Sequence, residues 1–135
     1  MADYATQPQI DYNGRWQLAT CKCWSQGGVH KTTARGAAAT ITVDLPHTQY
    51  PTGSMNAYSH AGLVMHKGPD RGKFKVYLNG VLKGTVDTYA ATNQPRTVVW
   101  QTAVDGRYSG TATIKVVNQA TSGRSRIDLD AVLTN

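Results

Sequence analysis

Glutamate is absent from this chain, and cysteine and negative charge are scarce. The 135 residues include two cysteines and eight acidic residues against 14 lysines and arginines. Because glycosidases most often use glutamate as their acid, its absence argues against that enzyme class. Two cysteines are too few for a disulfide framework. No apolar run reaches the length of a membrane-spanning helix, and residues 1–7 lack the basic and apolar parts of a signal peptide.

The motifs of common enzymes are missing as well. None of the four histidines, His30, His47, His60 and His66, lies in a Ser–His–Asp or Cys–His pattern or near a nucleophile elbow. The glycines of residues 68–73 lack the spacing of a phosphate-binding loop. We therefore expect a protein without catalytic residues, without a cofactor and without a metal site.

The two cysteines, Cys21 and Cys23, are separated by one residue. On a strand this spacing places both thiols on one face, and His30 follows soon after. A structural zinc site usually has four ligands, and a fourth candidate is missing. A disulfide between such close neighbours on a strand would be strained. We therefore expect two buried free cysteines.

Most of the chain has the residue pattern of β-strands. Strict alternation of apolar and polar residues marks four segments, 39–45, 73–78, 111–116 and 127–134. Weaker strand patterns cover 15–20, 29–33, 62–67, 81–87 and 97–103. Asn79-Gly80 is the strongest hairpin signal and joins 73–78 to 81–87. One buried face per strand predicts an all-β fold, an antiparallel two-sheet β-sandwich of jelly-roll type with about nine strands.

Three local expectations accompany this fold. The alternation in 127–134 assigns Leu129 to the core and Asp128 to solvent. Gly68 and Gly72 are expected to let the chain turn sharply before the strand at Lys73. Residues 1–12 have little pattern and are interpreted as an N-terminal arm, so that the sandwich domain covers 13–135.

Charge and aromatic residues restrict the partners. The formal net charge is +6 and the sequence pI is about 9.5, which favours polyanionic partners. We do not expect nucleic acid, because the aromatic residues are not interleaved with basic residues on one strand face. Of the three tryptophans, Trp16 and Trp100 lie in strand patterns and are expected in the core. Trp24 lies beside Gly27-Gly28 at a strand end, and several tyrosines lie in loops.

One segment resembles a known kind of module. Residues 68–73 read Gly-Pro-Asp-Arg-Gly-Lys, 77–80 read Tyr-Leu-Asn-Gly, and 126–131 read Arg-Ile-Asp-Leu-Asp-Ala. These motifs resemble a jelly-roll β-sandwich module of actinobacterial secreted proteins and their phages, commonly attached to hydrolases as a carbohydrate-binding domain. The resemblance covers most of the chain after the arm and implies a glycan-binding fold.

The chain begins at its own methionine without an export signal, unlike the secreted modules. The sequence therefore favours a non-catalytic virion surface protein of a phage, either a capsid decoration protein or a minor tail component, made in the host cytoplasm. Its expected partners are the major capsid or tail protein, with a host surface glycan and a second copy as further candidates. The alternative is a lectin-like module for a bacterial cell-wall polysaccharide. For that alternative, the candidate ligand-binding residues are Trp24, Tyr58 and Tyr89, with Arg71 as a polar anchor.

Overall fold

A computed structural model describes residues 9–45, 60–103 and 110–134, and these residues form an all-β fold. The ten strands are β1 (Gln9–Asn13), β2 (Gln17–Thr20), β3 (Gly28–Thr32), β4 (Ala38–Leu45), β5 (His60–Lys67), β6 (Lys73–Leu78), β7 (Val81–Asp87), β8 (Gln94–Ala103), β9 (Gly110–Asn118) and β10 (Ile127–Thr134). Each of the nine predicted strands is present. In the described residues, no helix is long and apolar enough to cross a membrane.

The strands form two antiparallel sheets of five strands each. The first sheet has the order β1-β4-β9-β6-β7, and the second has the order β2-β3-β10-β5-β8. Their inner faces pack on each other around fully buried apolar side chains, including Ile41, Leu63, Phe74, Ile114 and Leu129. This arrangement confirms the predicted two-sheet sandwich, because residues of β4, β6 and β9 from one sheet and of β5 and β10 from the other meet in one shared core.

The hairpin between β6 and β7 confirms the strongest local prediction. Asn79 and Gly80 both have positive φ, 50° and 82°, as a type I′ turn requires. The backbone N–H of Asn79 donates to Thr113 O at 2.8 Å, and its side-chain oxygen accepts from Thr113 N at 2.9 Å. The turn is therefore tied to β9 as well as to its own strands.

Strand β1 takes up part of the segment that was expected to be an arm. Gln9–Asn13 pairs antiparallel with β4 at the edge of the first sheet. Ile10 and Tyr12 pack against the core, and the ring of Tyr12 stacks on His30 with centroids 4.2 Å apart. Burial raises the pKa of Tyr12 to about 12 and lowers the pKa of His30. Residues 9–12 are thus integral to the sandwich, and residues 1–8 lie outside the described residues.

Strand β10 departs from its predicted alternation. Its pairing with β5 shifts register between Leu129 and Ala131. Such a bulge moves the residues beyond it by one position, so that Val132 joins the core. Asp128 was expected in solvent, and this was wrong: it is 0% exposed because arginine side chains and a loop cover this face of the sheet.

The chain turns sharply before β6 as expected, since Arg71 N donates to Gly68 O at 3.2 Å, but neither Gly68 nor Gly72 adopts positive φ. A Cβ on Gly72 would lie 1.9 Å from Arg124 O, and a Cβ on Gly68 would lie 2.7 Å from Asn93 Oδ1. Gly72 requires glycine because backbone atoms leave no space for a side chain, whereas a Cβ on Gly68 would meet the end of the exposed Asn93 side chain, which can shift.

Candidate functional site

The outer face of the second sheet carries an open pocket of about 640 Å³, called here the outer pocket. Its lining includes Trp24, His66, Arg71, Asn93, Pro95 and Arg126. His66 alternates on β5 with the core residue Met65 and therefore lies on the face that points away from the core. Apart from Pro95, which lies in β8, the other lining residues named come from loops that meet over this face. Side chains far apart in the sequence are thereby brought to one place.

A chain of hydrogen bonds through Trp24, His66 and Asn93, called here the relay, crosses the floor of the outer pocket. Trp24 Nε1 donates to His66 Nδ1 at 3.0 Å, and His66 Nε2 lies 3.1 Å from Asn93 Oδ1. Because an indole nitrogen can only donate, Nδ1 must accept, and the neutral imidazole carries its proton on Nε2. That proton is donated to Asn93, whose amide nitrogen is left with no partner among the described residues. These hydrogen bonds therefore fix the Asn93 amide nitrogen as a polar donor at the pocket surface.

Residues 21–27, called here the Trp24 loop, lie over the second sheet and form one wall of the pocket. Backbone bonds close the loop, from Cys21 N to Gly27 O at 3.0 Å and from Trp24 N to Cys21 O at 3.1 Å. The loop is anchored to β10 because Ser25 N donates to Asp130 Oδ2 at 3.1 Å. Burial raises the pKa of Asp130, although this hydrogen bond opposes the shift. Trp24 is thus held buried against His66.

The cysteines of this loop are joined by a disulfide, so the expectation of free thiols was wrong. Cys21 and Cys23 have Cα atoms 5.1 Å apart, within the range that a disulfide spans. The assumption of a regular strand failed here: β2 ends at Thr20, and the loop curls so that both sulfur atoms meet. Both residues are half-buried, and Cys23 lines the outer pocket.

Reducing this disulfide should cost little overall stability. The bond closes a loop of only three residues, and the chain-entropy relation for such a loop gives about 1.5 kcal/mol. We expect urea unfolding of the reduced protein to show a free energy of unfolding lower by about that amount. A Cys21→Ser/Cys23→Ser double variant should match the reduced protein. Two titratable thiols in unreduced, denatured protein would contradict the bond.

Beside the relay lies a buried ion cluster centred on Asp128. Arg71 Nη2 donates to Asp128 Oδ2 at 2.9 Å, while Arg126 Nε and Nη2 donate to Oδ1 and Oδ2 at 2.7 and 2.8 Å. Arg71 also pairs with the more exposed Asp70. Burial would raise the pKa of Asp70, but the hydrogen bond and charge of Arg71 outweigh burial and hold this pKa below its usual value. The cluster fixes both arginines at the pocket.

Of the four predicted ligand-binding residues, two line the outer pocket, one does not, and one lies outside the described residues. Trp24 and Arg71 both line the outer pocket, but both are largely buried, 8% and 5% exposed. Tyr89 is 48% exposed and does not line this pocket. Arg124 lies over its ring, 5.2 Å from the centroid. Tyr58 lies outside the described residues. A direct ligand contact stays a prediction for each of them.

Most other lining residues were not predicted as site residues, and three of these form hydrogen bonds at the pocket: His66, Asn93 and Arg126. His66 is a polar residue within the largely apolar strand β5, which is a visible signal in the sequence. Arg126 belongs to the motif at 126–131 but was not assigned to the site, and Asn93 carries no signal in the sequence. Together with Trp24 they provide an apolar wall and several fixed hydrogen-bond groups. Among the described residues, no three His, Cys, Asp or Glu side chains form a cluster that could hold a metal ion. The arrangement is that of a binding pocket with a few oriented polar groups.

Solved structures share this fold. CBM35 from Cellvibrio japonicus Abf62 matches with a TM-score of 0.62 and 14% identity, over 99% of this chain and 91% of that chain. The family 35 carbohydrate binding module from Clostridium thermocellum matches with a TM-score of 0.59 and 12% identity, over 93% of this chain and 90% of that chain. At these identities the likeness shows the fold alone, a two-sheet jelly-roll β-sandwich.

Other matches belong to larger proteins. The insecticidal crystal protein Cry2Aa matches with a TM-score of 0.61 and 15% identity, over 95% of this chain and 20% of that chain. This chain spans between 18% and 29% of the chains in five structures of such larger proteins. No family model and no curated protein sequence matches the chain.

Proposed function

We propose that the chain is a non-catalytic glycan-binding module and that the outer pocket holds the sugar. The observation that carries the proposal is the Trp24–His66–Asn93 relay in a pocket of about 640 Å³. This volume falls in the usual range of small-molecule sites. Two whole-domain neighbours of the same fold carry carbohydrate-binding-module names, which supports the same ligand class.

The chemistry of the lining suits a sugar ring. Sugars present an apolar C–H face and a rim of hydroxyl groups, so they need an apolar wall and directed hydrogen bonds. Trp24 and Pro95 supply apolar surface, while the Asn93 amide nitrogen and the arginine N–H groups supply donors. The relay and the ion cluster hold these donors in place before a ligand arrives, and such preorganisation lowers the entropy cost of binding.

Asn93→Ala is the sharpest test of this pocket, because Asn93 is exposed and its loss should leave the fold intact. We expect saturable binding of the unmodified protein to insoluble bacterial cell wall, measured by co-sedimentation and then by calorimetry with the released polysaccharide. The variant should bind about five- to tenfold more weakly, since it lacks one polar contact and leaves His66 without its acceptor.

Two controls locate the site. Asn13→Ala makes the same change on β1, at the edge of the other sheet, and should bind as the unmodified protein does. Tyr89→Ala removes an exposed aromatic ring outside the pocket and should also leave affinity unchanged. Loss of binding in Tyr89→Ala together with full binding in Asn93→Ala would move the site away from the outer pocket. Absence of binding to every glycan tested would refute the proposed function.

A location on a phage particle stays a prediction. A glycan-binding pocket is compatible with it, because a decoration or tail protein could also hold a host glycan. Co-sedimentation of the protein with phage particles assembled without it would test the location independently of any sugar.

A further inference from the structure

A second, smaller cavity adjoins the outer pocket and is markedly cationic. Its volume is about 320 Å³, and it is lined by Arg15, Gln17, Lys31, Thr32, Thr33 and Arg126. Three of these six residues carry a positive charge, and none carries a negative charge. We call it the basic cavity.

Strand pairing explains why these residues meet. Gln17 of β2 pairs with Lys31 of β3, and Lys31 pairs with Asp128 of β10. Residues paired across neighbouring antiparallel strands point to the same face. Asp128 alternates on β10 with the core residues Ile127 and Leu129 and therefore points to the outer face of the second sheet. Its neighbours Lys31 and Gln17 point to the same face. The basic cavity and the outer pocket thus share one face of the sandwich.

Arg126 lines both cavities and is held rigidly between them. Its guanidinium forms two hydrogen bonds with Asp128, whose carboxylate is fully buried. Asp128 is shared with Arg71, so one carboxylate serves two guanidinium groups. Among the described residues, neither Arg15 nor Lys31 forms an ion pair with an acidic side chain. The basic cavity therefore keeps an excess of positive charge.

We propose that the basic cavity binds an anionic substituent, a phosphate, sulfate or carboxylate, on the glycan that occupies the outer pocket. The inference rests on the proposed function, because the sugar chain brings the anion to the cavity. Guanidinium groups bind such oxyanions through paired N–H donors, and lysine adds a further charge. The Thr33 hydroxyl and the Gln17 amide can complete the hydrogen bonds. The ligand class becomes an acidic glycan, with neutral glycans bound less tightly.

Matched pairs of polysaccharides test this inference, each pair with the same sugars and with or without the charge. Suitable probes are polygalacturonate before and after complete methyl esterification, and a phosphomannan before and after removal of its phosphate. The variants are Lys31→Gln and Arg15→Gln. The control is Lys83→Gln, which removes the same charge from an exposed site on β7 of the other sheet. Affinities are measured by calorimetry at low and at high salt.

We expect the charged member of a pair to bind at least tenfold more tightly than the uncharged member. Lys31→Gln should lower the affinity for the charged member about tenfold. Raising the salt concentration should reduce the same difference, because exposed charges are screened. Lys83→Gln should have no effect. If removal of the charge weakens binding in only one of the two pairs, that pair identifies the kind of anion that the cavity prefers within the proposed class.

The opposite results separate the two proposals. Equal binding of both members of each pair, unchanged by Lys31→Gln and still sensitive to Asn93→Ala, overturns the basic cavity and leaves the outer pocket as a glycan site. Binding of free polyanions that Lys31→Gln weakens and Asn93→Ala does not would overturn the proposed coupling of the two cavities. No binding of any probe overturns both proposals.

Discussion

Replacing Gly72 by alanine should cost this protein at least about 4 kcal/mol of its free energy of unfolding, enough to leave a small domain partly unfolded. A Cβ at this position would lie 1.9 Å from the backbone oxygen of Arg124. The backbone on both sides is fixed, since Gly72 N donates to Arg126 O at 2.9 Å and Gly72 O accepts from Thr88 N at 3.0 Å. Gly72 is buried and cannot move away without breaking these hydrogen bonds, and Arg124 is held by the bond from its N to Thr121 O at 2.8 Å. Urea unfolding followed by circular dichroism measures the loss.

Gly62→Ala provides the matched control, because Gly62 is also buried and lies on β5. Its added Cβ would meet neighbours only at ordinary contact distances, 3.5 Å from Trp100 O and 3.6 Å from Gln101 Cβ. We expect this variant to change the free energy of unfolding by less than about 1 kcal/mol. Equal unfolding midpoints for the two alanine variants would show that the backbone around Gly72 can yield.

Asp128→Ala should be the second most damaging substitution. It removes the carboxylate that both Arg71 and Arg126 contact, and Arg71 is only 5% exposed. The remaining partner of Arg71 is Asp70, whose side chain is 61% exposed and therefore well solvated. Removing one partner of a buried ion pair typically costs about 3–5 kcal/mol, because a charge remains buried without compensation. We expect a loss of that size in urea unfolding.

The control for this variant is Asp87→Ala, which breaks the exposed ion pair with Arg124. Arg124 Nη1 and Asp87 Oδ1 are also 2.9 Å apart, but the Asp87 side chain is 44% exposed. Exposed pairs contribute about 1 kcal/mol or less. A second test adds Arg71→Met to Asp128→Ala and should recover part of the loss, because the unpaired charge is gone. A large loss in Asp87→Ala with none in Asp128→Ala would contradict the role of burial.

Local patterns were sufficient to predict most strands. The bounds of β6, β7 and β10 follow from strict alternation and from the Asn79-Gly80 turn, since both signals arise within a few residues. Strand β1 was missed, although Ile10 and Tyr12 alternate with polar residues there. Its pairing with β4 is a contact between segments far apart in the sequence, which a local pattern does not reveal.

The site could not be predicted in the same way, because distant residues form it. Trp24 and His66 are 42 positions apart, and Arg71 and Asp128 are 57 apart. Alternation correctly assigned Leu129 to the core, but it cannot reveal that loops cover the outer face and bury Asp128. The disulfide was missed for a related reason: on a regular strand Cys21 and Cys23 could bond only with strain, and their spacing does not reveal the loop that brings the sulfur atoms together.

The order of strands in the two sheets also affects how the protein folds. Only β2–β3 and β6–β7 join neighbours in sequence, and every other pairing closes a long loop. Folds dominated by such distant contacts are slow to form, with times of milliseconds to seconds. Because the outer pocket requires β5, β10 and four separate loops to be in place, it does not exist in a partly folded chain. A bound ligand would therefore slow the unfolding of the native protein without hastening its formation.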